Sequence, residues 1–106
     1  MQSSLGLVEL SSIAQGFLVA DTMLKAADVT LVVSRTVCSG KYITIVNGLV
    51  GAVKTSIKAG IETADYALID SMIIPNIHPD VIPAIHGLNV IDETEALGIV
   101  ESFSVS

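Results

Sequence analysis

The chain has 106 residues, 51% of them hydrophobic and 15% charged, with 11 Asp and Glu against 5 Lys and Arg for a formal net charge of -6. That length fits one domain and excludes a large multidomain enzyme, and so apolar a chain of this size leaves apolar residues outside its core, which points to self-association. The scattered cations Lys25, Arg35, Lys41, Lys54 and Lys58 form no basic stripe, so nucleic acid is not an expected partner. The longest uncharged stretch, 42–53, is too short for a membrane helix, and the start MQSSLGLVEL lacks the flanks of a signal peptide. The sequence thus reads as soluble and cytoplasmic, and its single cysteine, Cys38, agrees with a reducing compartment.

In chain order, residues 4–11 (SLGLVELS) read as a first strand, alternating in part. Ser12 with Gln15 makes a capping-box pattern, and Ile13, Phe17, Ala20, Leu24 and Ala27 recur at helical spacing, so a helix is expected over 12–27 with that stripe inward. Residues 29–37 and 42–47 are β-rich, and Ser39-Gly40 between them predicts a hairpin with its loop around 36–41. After Asn47-Gly48, the residues Val50, Val53, Ile57, Ile61 and Ala64 fall on one helical face up to about Asp65. Residues 66–74 supply a fourth strand, closed by Pro75. The order β-α-β-β-α-β predicts an α+β, ferredoxin-like fold, an antiparallel sheet with both helices on one face.

Beyond this unit, 78–88 reads as a short helix begun at Pro79 and stopped by Gly87, and 92–95 (DETE) as an acidic connector. The final segment ALGIVESFSV (96–105) matches SLGLVELSSI (4–13), with Leu, Gly, Val and Glu identical at four aligned positions. A second copy of the first strand at the C-terminus divides the chain into a domain over 1–91 and, over 92–106, a connector with the opening strand of a further domain.

No catalytic constellation emerges. There is no G-x-S-x-G elbow, GLVGAVK lacks the spacing and hydroxyl of a phosphate loop, and two histidines with one cysteine show no zinc spacing. His78-Pro79-Asp80 more simply starts a helix than forms a chaperone motif, and His86 beside Gly87 reads as a helix-terminal residue. Asp65 and Asp70 read as a solvated face, and Gly48 and Gly51 as turn and close-packing positions.

Three segments carry a resemblance: ADTMLKAADVTLVVSRTVCSGK (20–41), NGLVGAVKTSIKAG (47–60) and IPNIHPDV (74–81). In this order they resemble the bacterial microcompartment shell proteins over about 1–90, and within them the tandem-domain members of propanediol-utilisation compartments, whose first domain also carries a cysteine in the loop matching TVCSG. The resemblance implies architecture rather than catalysis. Such domains form hexamers, or trimers when tandem, that tile with other shell proteins into the wall of a cytoplasmic compartment and pass small metabolites through a central pore.

Carried over to this chain, the pore would be lined by Thr36, Val37, Cys38, Ser39 and Gly40, with Lys41 behind, and the tile edge would include Asp21 and Lys25. Asn76 stands where many members have an Arg beside that seam. The resemblance also implies an iron–sulfur cluster at the symmetry axis. A rotation axis turns one Cys38 per chain into a ring of thiolates, three-fold symmetry supplying three and leaving one iron open. A ferredoxin-like redox or small-ligand-binding oligomer outside any shell is the alternative from another class.

Overall fold

The computed structural model describes residues 3–37 and 40–75. Its elements are β1 (Ser4–Leu10), α1 (Ile13–Ala26), β2 (Thr30–Val37), β3 (Lys41–Gly48), α2 (Val50–Ala64) and β4 (Leu68–Ile74). The strands form one sheet in the order β2-β3-β1-β4, each neighbouring pair antiparallel, as the α+β reading expects. The expected short helix at 78–88, the connector at 92–95 and the strand at 96–105 lie outside the described residues.

Both helices pack on one face of the sheet. Alternation along β1 turns Gly6, Val8 and Leu10 toward them, and a core of Val8, Leu10, Val19, Met23, Tyr42, Val46, Val53, Ile57 and Ala64 closes between the layers. The helices approach closely because Gly60 of α2 stands against Met23, where a Cβ would lie 2.8 Å from the Met23 side chain. Ser56 Oγ, itself buried, donates 2.9 Å to the Met23 carbonyl and ties the two helices at that point. On the opposite face Leu5, Leu7, Glu9, Ile43 and Ile45 are buried as well, so the two central strands are covered on both sides.

Local chemistry sets the boundaries. Ser12 caps α1 by accepting the Gln15 N–H at 3.2 Å, as the capping-box pattern predicts. At the far end of α2, Asp65 takes φ 50, a left-handed conformation, and leads into a 3-10 turn over Asp65–Ala67, so β4 begins at Leu68 and not at residue 66. Ser11 N–H donates 2.9 Å to the Ala67 carbonyl and docks that turn beside the end of β1.

One expectation fails. The inward face of α1 is Gly16, Val19, Ala20 and Met23, whereas Ile13, Phe17 and Leu24 point outward and Phe17 is 65% exposed. Ala20 is common to both stripes. The rotation follows from Tyr42, whose ring fills the space beside Gly16; a Cβ there would stand 2.4 Å from the ring. Only the face that carries glycine can close on that tyrosine.

Candidate functional site

Two features stand out from the fold, the hairpin end of β2 and β3 and the outward face of α1. At the hairpin the ladder runs further than the sequence predicts, for Thr36 pairs with Tyr42 and Val37 with Lys41. The connection shrinks to residues 38–40. Of the expected pore set, Thr36, Val37 and Lys41 are therefore strand ends, Val37 buried and Thr36 exposed, and Gly40 is exposed at φ 76. Glycine suits that left-handed position because it has no Cβ to clash with the backbone. Cys38 and Ser39 lie outside the described residues.

The hairpin is pinned on both faces of the sheet. Toward the helices, Tyr42 shares a hydrogen bond with Ser34 across the two strands, while its ring lies under Gly16 and 5.5 Å from the Phe17 ring, centroid to centroid. On the opposite face, Lys41 Nζ stands 3.9 Å from Glu9 Oε2 on the central strand β1. Glu9 has no exposed surface. Sequence reasoning missed Glu9, Ser34 and Tyr42; a lone carboxylate inside an otherwise apolar central strand was the signal for the first.

On α1, Asp21 and Lys25 form an exposed ion pair of 2.9 Å one turn apart. They continue the outward row of Ile13, Phe17 and Leu24 along the same helix, so apolar and paired charged groups alternate down one surface. Asn76, the third expected edge residue, lies outside the described residues, as do His78 and His86. Elsewhere, Asp65 and Asp70 are exposed, Asp70 Oδ1 accepting the Ser71 N–H at 2.8 Å, in keeping with a solvated face. Gly48 does pack closely, a Cβ there falling 3.2 Å from the Asp28 carbonyl, but Gly51 has open space beside it and is no close-packing position. No group of three His, Cys, Asp or Glu side chains converges among the described residues, and no helix among them is long and apolar enough to cross a membrane.

The BMC domain family matches residues 4–77, from the first residue of β1 to just past the end of β4. The chain belongs to that family. Across all 106 residues the BMC chain is 48% identical to the bacterial microcompartment shell protein PduT of Citrobacter freundii, of which it covers 58%. It is 31% identical over 99 residues to the carboxysome shell protein CsoS1 of Prochlorococcus marinus, covering 90% of this chain and 95% of that protein. Among solved structures, a microcompartment protein from Desulfitobacterium hafniense superposes with a TM-score of 0.80 at 44% identity, covering 87% of this chain and 51% of that one. The chain thus spans little more than half the length of PduT and of the Desulfitobacterium protein.

Proposed function

We propose that this BMC chain is a structural unit of a bacterial microcompartment shell, not an enzyme, that assembles with its own copies and with other shell proteins into tiles of six domains. The observation that carries this reading is the outward face of α1. Ile13, Phe17 and Leu24 are exposed on a helix whose other face already fills the core, and the Asp21–Lys25 pair extends the row. An exposed apolar row on a chain this small is characteristic of an interaction surface. The naming of relatives from two kinds of compartment as shell proteins supports it.

In this reading the strand ends and connection over 36–41 line a central pore, and small metabolites pass according to its diameter and its lining of hydroxyls, amides and a thiol. Residues 92–106 lead into a second domain, and the tile lies in the shell of a compartment in the cytoplasm. Cys38 fits an iron–sulfur cluster shared between copies rather than one held by a single chain, because each three-residue connection supplies one soft thiolate and clusters need several. Bound there, a cluster would supply one-electron transfer across the shell. The alternative, a redox or ligand-binding oligomer outside a shell, predicts closed oligomers that never tile.

Electron microscopy of cells overproducing the chain, with sedimentation of the purified protein, separates these readings. Sheets or tubes and a closed oligomer are expected. A monomer at every concentration with no higher assembly contradicts the proposal.

A further inference from the structure

We infer that Tyr42 is a positioning residue for association, a buried ring that holds Phe17 in place as the anchor of the outward row of α1. This role rests on the assembly proposed above, with a second copy of the chain as the partner. Phe17 is the most exposed large apolar side chain of α1. A side chain left so open ordinarily samples several rotamers, and fixing one of them on binding costs entropy. Here the Phe17 ring leans on a second ring. Its centroid lies 5.5 Å from that of Tyr42, with the planes tilted by 55°, a geometry in which aromatic pairs attract beyond the area they bury.

Tyr42 can serve as that support because contacts other than Phe17 already fix it. Its backbone stands in the sheet between two ladders, opposite Leu10 of β1 and Thr36 of β2. Its hydroxyl shares a hydrogen bond with Ser34, two residues back from Thr36 on β2. Its ring passes beneath Gly16, where any Cβ would collide with it. Gly16 and Phe17 are consecutive, so the missing side chain at one position lets the ring slide under the helix and lie beside the next residue. The start of α1 is also held: Ser12 caps it through the Gln15 N–H, and the Ser12 carbonyl accepts the Gly16 N–H at 3.0 Å.

Phe17 is therefore oriented before a partner arrives, and rigid aromatic anchors of this kind carry a large share of the energy of an interface. Tyr42, only 3% exposed, offers a neighbouring copy almost no surface of its own, so it acts on association through Phe17.

Sedimentation titrations of the full chain test this with a double-mutant cycle at positions 17 and 42, circular dichroism confirming that each variant is folded. Tyr42→Leu should weaken association about tenfold in the wild-type background, but by less than about twofold when Phe17→Leu has already removed the ring it supports. Tyr42→Phe and Ser34→Ala keep the ring and release its hydroxyl; each should weaken association about threefold, again only with Phe17 present. Should Tyr42→Leu fail to fold, these two variants carry the same cycle. Equal weakening with and without Phe17 would overturn the inference by making Tyr42 a general core residue, and so would unchanged association in every Tyr42 and Ser34 variant. Phe17→Asp separates the two levels. If it associates as wild type does, the seam on this face fails and the inference with it; if it weakens association while the Tyr42 effects are additive, the positioning role alone fails.

Discussion

Both faces of α1 carry apolar residues, and their fates are opposite. One face, Gly16, Val19, Ala20 and Met23, is buried within the chain, and the other, Ile13, Phe17 and Leu24, is left on the surface. The inward face closes where glycine makes room: Gly16 lies under the Tyr42 ring, and Met23 fits against Gly60 of α2. Size therefore decides which stripe a packed sheet accepts. The bulkier stripe stays on the surface, where the proposed association between copies would use it.

Substitutions on each face can break or sharpen this contrast. Met23→Ala removes a fully buried side chain at the helix contact and should cost about 2–4 kcal/mol of stability, measured by denaturant unfolding at matched protein concentration. Phe17→Asp should leave the circular dichroism of the fold intact yet weaken association between copies by roughly a hundredfold, about 2.8 kcal/mol, in sedimentation titrations. Gly16→Ala gains helix propensity but drives a methyl into an aromatic ring that Ser34 also holds, for a net loss of about 1–2 kcal/mol. Gly51→Ala, with open space beside it, should instead stabilise α2 by about 0.5–1 kcal/mol, isolating the steric origin of the Gly16 effect. Asp21→Asn loses only an exposed one-turn ion pair, about 0.3–0.5 kcal/mol at low salt; a much larger loss of assembly would make that pair part of the seam.

The order of elements was legible because each signal was local. Ser12 capping Gln15, the β-branched runs, the Asn47-Gly48 break and Pro75 all act within a few residues. The buried face of α1 was not legible, since two apolar stripes overlap at Ala20 and the choice between them is made by Tyr42 and Gly60, distant in sequence. The hairpin was placed correctly but its connection drawn too long, because the Val37–Lys41 pairing has no local marker beyond the β-branched valine. Fourth-strand entry was missed by two residues for a related reason: the left-handed Asp65 is an unusual conformation for a residue other than glycine. Of the candidate site, the hairpin was legible from Ser39-Gly40 between two β-rich runs, whereas its proposed pore role and the proposed edge role of Asp21 and Lys25 came from resemblance. Glu9 needed the register of β1 to be seen at all.

In the proposed tile, the outward stripe of α1 joins copies of the chain. Native mass measurement of wild type and Phe17→Asp over the same concentration series tests it most directly. Wild type should be a closed oligomer and Phe17→Asp a folded, smaller species; an identical oligomer in both proteins would contradict a seam on this face.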